Sequence, residues 1–111
     1  MSFEAYELAV ELNRALAPLA AKLRRVDRKD AEQLQGAAKS IARNLFEGSR
    51  RLGRDRLHHF SIAAGSAHEV KAILEIAVAW GHLSEEDLAP VWNLLDRELA
   101  MTWRLTHPRA S

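Results

Sequence analysis

The chain has no cysteine, only five glycines and three prolines, and aromatic residues make up 6% of its 111 positions. Without cysteine there are no disulfide frameworks, thiolate zinc sites or thiol nucleophiles, a composition compatible with the cytosol. With so few helix breakers and few β-branched residues, alanine, leucine, arginine and glutamate dominate, and helix is expected almost throughout. The longest uncharged apolar run, around residues 76–80, falls far short of the roughly 20 residues of a membrane span. The opening "MSFEAYELAVELNRAL" places Glu4, Glu7 and Glu11 where an export signal carries a basic flank and an apolar core. The expectation is a soluble, cytoplasmic, single-domain protein of residues 1–111 with no membrane contact. No glycine-rich phosphate loop, nucleophile elbow or Glu-x-x-His pair occurs, and the adjacent His68 and Glu69 point to different sides of a helix. Neither cofactor nor metal is expected.

What is present is helical periodicity. Ala5, Leu8, Leu12, Leu16, Leu19 and Leu23 recur every three or four residues over 3–23, with Pro18 expected to kink or shorten that helix. A second helix over about 30–48 repeats the pattern at Leu34, Ala38, Ile41, Leu45 and Gly48, and Gly48 and Gly53 are candidate helix-ending residues. Asp55 is the candidate N-cap of a third helix reaching Trp80, with Ala63, Ala67, Val70, Leu74 and Ala77 toward the core. Gly81 closes it, and Ser84 with Asp87 has the form of a cap for a fourth helix, which Pro108 stops near Thr106. Its core stripe reads Leu88, Trp92, Leu95, Leu99 and Trp103. Four helices with short connections predict an all-α, antiparallel up-down-up-down four-helix bundle.

A bundle standing alone needs one apolar face per helix, and this chain has more. Phe3, Tyr6, Val10, Ala17 and Ala21 lie away from the first stripe, Leu94, Met101 and Leu105 off the fourth, and Ile62, Ile73, Ile76 and Trp80 continue round the third. Self-association is the economical reading, with Phe3, Tyr6, Val10, Leu94, Met101 and Leu105 as interface candidates.

The formal charge of +1 conceals segregation. Lys22, Arg24, Arg25, Arg28 and Lys29 face Asp27 alone, and Lys39, Arg43, Arg50, Arg51, Arg54 and Arg56 face only Glu47 and Asp55. Lys39, Arg43 and Arg50 fall opposite the core stripe of the second helix and form a basic ridge, which Arg51, Arg54 and Arg56 extend into the turn. Such a ridge suits the phosphates of RNA or DNA. A solvated charged face is the bland alternative. Base-specific readout is not expected, because no row of aromatic stacking partners is evident, and Phe46 is assigned to core or interface burial.

The ordered segments "SIARNLFEG", "HFSIAAGSAHE" and "AVAWGHLSEED" resemble the four-helix-bundle family of proteins encoded in intervening sequences of bacterial 23S ribosomal RNA genes. Relatives of that family include the accessory variability determinant of diversity-generating retroelements. The resemblance covers roughly residues 3–105 and implies a cytosolic bundle assembling into a barrel-like homopentamer. In the retroelement branch it implies a basic adaptor for nucleic acid and a reverse transcriptase. Asn44, Glu47 and Gly48 match the family's Asn-x-x-Glu-Gly motif, and Phe60, Gly65, Ser66 and Glu69 match the third-helix segment; Leu45 and Phe46 depart from the usual isoleucine and alanine.

Two competing readings attach to single residues. Arg54 followed by His59 at the start of a helix resembles the active motif of HEPN ribonucleases, in which arginine steadies the phosphate and histidine handles the proton. Such a spacing arises readily by chance in an arginine-rich chain, so a non-enzymatic role is favoured. Glu69, set among Ile62, Ile73, Ile76 and Trp80, is read as a buried acid fixing helix register or subunit packing through Asn44, a base of the second helix or a neighbouring subunit. A protein-only scaffold is the alternative to nucleic-acid binding.

Overall fold

The computed structural model describes residues 3–108 and is all-helical there: α1 (Glu4–Arg24), α2 (Arg28–Ser49), α3 (Gly53–Ala79) and α4 (Glu85–Thr106). Each helix packs mainly on its chain neighbours, and α1 closes the ring against α4, giving a rod of 46 × 23 × 21 Å. Contacts such as Lys22 with Asp87 and Ser40 with Ser66 join helices running in opposite directions, as short connections require. Leu12, Leu23, Leu34, Ile41, Leu45, Leu74, Leu88 and Leu95 are fully buried. Each is worth about 1.5–3 kcal/mol relative to exposure.

The core stripes expected for α1, α2 and α3 are all buried. Pro18 does not end α1. Its ring sits on the exposed side, and burial of Leu19, Ala20 and Leu23 carries the last turn to Arg24. Gly48 does not end α2 either. It is buried within the helix, and a Cβ there would meet Phe60 Cε1 at 2.6 Å, so glycine is what lets α2 and α3 close. α3 begins at Gly53, two residues before Asp55, which therefore stands in the first turn rather than at the cap. At the other end Gly81, at φ +72°, turns the chain while its N–H bonds Val78 O and that of His82 bonds Ala77 O. Asp27 accepts from Asp30 N to cap α2, and Ser84 and Asp87 cap α4 reciprocally.

The fourth stripe is rotated from its expected phase. Leu88, Val91, Leu95, Glu98 and Thr102 are buried, Trp92 and Leu99 are half-buried, and Trp103 is 58% exposed. Thr102 tolerates burial because its hydroxyl donates to the carbonyls of Glu98 and Leu99. Glu98 is fully buried, and neither carboxyl oxygen has a hydrogen-bond partner among the described residues. Burial raises its pKa to about 8, against a smaller opposing pull from Arg97, so the group is largely a neutral acid at pH 7.

The surplus apolar faces are partly used within the chain. Phe3, Tyr6, Leu94, Met101 and Leu105 are half-buried against the core, and Val10 is half-buried. On α3, Ile73 is buried whereas Ile62, Ile76 and Trp80 stay exposed.

Candidate nucleic-acid interface

Residues 39, 43 and 46 of α2 and its C-cap residue 50 are spaced by four, three and four, which stacks them on one helix face. Lys39, Arg43 and Arg50 are exposed there and form no ion pair among the described residues. Phe46 lies between them, 47% exposed, with the Arg50 guanidinium carbon 6.0 Å from its ring centroid. Core burial of Phe46 is thereby excluded, because the core side of α2 is already filled by Ala38, Ile41 and Leu45. Tyr6 of α1 stands beside it, ring centroids 5.6 Å apart at 56°. Tyr6, Ala42, Arg43, Phe46 and Glu47 line an open groove of about 460 Å³.

The other predicted bases divide by their partners. Arg54 is exposed without an ion pair among the described residues. Arg51 donates to Glu47 Oε2 at 3.2 Å and Asp55 Oδ2 at 3.1 Å, and its pKa is raised first by the Glu47 bond and then by the Asp55 charge. Arg56 reaches back from α3 to donate to Gly48 O and Ser49 O at the end of α2. No basic residue of α2's own last turn balances its carbonyl dipole, so Arg56 serves as a cap in trans. It is a structural residue first, which its place in an arginine-rich turn concealed.

Beneath the ridge lies a polar chain that the sequence reading missed. Asn44 Nδ2 donates to Ser40 O at 2.9 Å and Oγ at 3.1 Å, so Asn44 Oδ1 is left to face His59 Nδ1 at 3.0 Å. That arrangement puts the His59 proton on Nδ1 and leaves Nε2 3.9 Å from Asp55 Oδ1. Ser66 Oγ donates to Ser40 Oγ at 2.8 Å. Asn44 therefore pairs with His59 rather than Glu69. Glu69 is exposed, not buried, because the face of α3 that carries it, with Gly65, is turned to solvent. The signal was available in polar residues at i, i+4 on α2 and i, i+7 on α3, both inward of the exposed faces. Among the described residues no group of three or more histidine, aspartate or glutamate side chains is placed to hold a metal ion, and no helix is long and apolar enough to cross a membrane.

The sequence pattern that defines the 23S rRNA-intervening sequence proteins matches residues 1–104. The chain belongs to that family. Its fold is similar to a crystal structure of a protein of unknown function from the S23 ribosomal protein family of Bacteroides thetaiotaomicron, with a TM-score of 0.82 and 17% identity, covering 92% of this chain and 97% of that one. Among curated proteins none matches. In this member of the family, Gly48 and Phe60 of the recognised motifs form the tight α2–α3 contact. Asn44 and Ser66 form the polar chain, and Glu47 holds Arg51.

Proposed function

We propose that this 23S rRNA-intervening sequence protein is a non-enzymatic cytoplasmic bundle whose α2 face binds the phosphates of RNA or DNA. It does so as a homo-oligomer, with the pentamer implied by its family resemblance, and it also docks a protein partner such as the reverse transcriptase implied by the retroelement branch. The observation that carries the reading is the line of Lys39, Arg43 and Arg50, three exposed cations on one face with no carboxylate partner among the described residues. A polyanion gains from such cations without first breaking ion pairs. Arg54 extends the line into the turn, whereas Arg51 and Arg56 support the corner that holds it. Half-buried Val10, Leu94, Met101 and Leu105 and the exposed Ile62, Ile76 and Trp80 supply apolar surface for assembly. That α3 surface also favours the second reading, a scaffold that binds protein alone.

The ribonuclease reading fits less well. Five residues of helix set Arg54 and His59 about 140° apart round α3, and His59 is tied to Asn44. The test titrates generic RNA and DNA at about 50 and 200 mM salt, with light scattering on the same samples. Binding that falls steeply with salt, by a species larger than the monomer, is expected. No binding at low salt leaves the protein-only scaffold, and RNA cleavage lost in His59→Ala restores the ribonuclease.

A further inference from the structure

An aromatic ring left half in water on a cationic helix face calls for an explanation beyond phosphate attraction. Phe46 sits three residues after Arg43 and four before Arg50, so the two guanidinium-bearing positions flank its ring, roughly 10 Å apart along the helix axis. Tyr6 leans toward it at 56°, too steep for a parallel sandwich, and forms a wall rather than a lid. The groove between them, about 460 Å³, is within the size range of small-ligand clefts. A flat ring can lie against the half-exposed ring of Phe46, which the Arg50 guanidinium approaches only to 6.0 Å, while the phosphates on either side of it meet Arg43 and Arg50.

We infer that the Tyr6–Phe46 groove is a slot for one unpaired nucleobase, so that the α2 face selects single-stranded nucleic acid over duplex. The inference rests on the phosphate-binding reading above and adds the ligand class. In a duplex the base faces are already stacked, and only a splayed base presents one to an aromatic side chain. Glu47 at the groove adds a preference among bases. Its Oε2 is taken by Arg51, leaving Oε1 as an acceptor. A carboxylate accepts from the exocyclic amine of cytosine or adenine and repels the carbonyl edge of uracil or thymine.

The test is fluorescence anisotropy of the full chain with labelled oligocytidylate, oligouridylate, their deoxy counterparts and a hairpin duplex of the same length closed by a non-nucleotide linker. The wild type should bind single strands more tightly than the hairpin, and cytidylate more tightly than uridylate. Phe46→Leu should weaken single-strand binding about tenfold and leave hairpin binding unchanged. Glu47→Gln should erase the cytosine preference even though it removes a negative charge, leaves Arg51 to Asp55 alone and strengthens binding generally. Equal wild-type binding to strand and hairpin, unmoved by Phe46→Leu, overturns the slot while the basic face stands. Absence of binding to every probe overturns both. A change of sedimentation in Phe46→Leu without loss of single-strand affinity overturns the slot too, since a second copy then covers the ring. The deoxy probes separate RNA from DNA as the source of the base.

Discussion

Lys22, Arg24 and Arg28 at one end of the rod each reach a carboxylate, whereas Lys39, Arg43 and Arg50 on the α2 face reach none among the described residues. Lys22 meets Asp87 at 2.7 Å, and Arg24 and Arg28 share Glu32 at 3.8 and 3.2 Å. Asp87 is held down to about 2, chiefly by the bond from Lys22 and then by Ser84. Lys22 and Arg24 also lie in the last turn of α1, where cations complement the helix dipole. Only Arg25 and Lys29 of that cluster lack an ion pair among the described residues, and Asp27 lies between them in the chain. By sequence the two regions carry comparable surpluses of bases. In the fold one is mostly consumed by local structure, and the other presents a line of uncommitted charge with an aromatic ring in its middle.

The largest effect should come from exchanging the treatment of these regions. Lys39→Gln/Arg43→Gln/Arg50→Gln should lower affinity for single-stranded RNA by about two orders of magnitude and flatten the slope of log affinity against log salt by about 2. Arg24→Gln/Arg25→Gln/Arg28→Gln should change affinity less than about threefold, because two of those three charges already face a carboxylate. Equal losses from the two triple variants would mean that net charge, not its placement, governs binding. Circular dichroism of both variants should be unchanged.

The sequence made the helices legible because each of α1, α2 and α3 carries an apolar stripe of the right period, and because Gly81 and the Ser84–Asp87 pair punctuate the chain in the expected way. It misled where a polar residue is buried. The α4 stripe was placed on Trp92, Leu99 and Trp103 because Glu98 and Thr102 are not apolar; the packing nevertheless turned them inward. The same bias put Glu69 inside, since its flanks at Ile62, Ile73 and Ile76 are apolar; only Ile73 is buried. At the candidate site the ridge of Lys39, Arg43 and Arg50 was legible from helical spacing. The different fates of Arg50, Arg51 and Arg56 were not, because they depend on which acids and carbonyls the α2–α3 turn brings within reach. Phe46 is expected in the core or an interface on general grounds of aromatic behaviour; the core is excluded, and its exposure in the single chain gives the ridge a second kind of contact.

Glu98 shows a third treatment of charge, neither paired nor solvated but neutralised by a proton. Its folded pKa, near 8, lies above the ordinary value of 4.5. The unfolded chain therefore releases this proton at lower pH than the folded one. The contribution of the group is fully present below about 4.5, declines as pH rises, and is lost above about 8, a swing on the order of a few kcal/mol. Urea unfolding at pH 5 and pH 9 should show the wild type less stable at the higher pH, and Glu98→Gln should remove most of that difference. A pH-independent wild type would place a partner on the carboxyl. Comparisons of the two basic regions at one fixed pH between 6 and 7 keep the folded Glu98 mostly protonated in every variant, so this titration does not separate them.

The smallest and most discriminating effect concerns neighbours one residue apart. Arg50 and Arg51 are both exposed and both lie at the α2–α3 turn, so distance from a bound strand barely separates them. Arg51 is held by Glu47 and Asp55, and its charge is balanced locally before any phosphate arrives. Among the described residues Arg50 has no ion pair and only the edge of a cation–π contact with Phe46. Arg50→Gln should therefore weaken single-strand binding severalfold and reduce the salt slope by about 0.7, the share of one phosphate contact on a single strand. Arg51→Gln should leave both within error and lower thermal stability at most slightly, since solvent screens its two exposed ion pairs. Matching losses from the two substitutions would show that Arg51 abandons its carboxylates for phosphate, and that uncommitted charge is not what distinguishes the ridge.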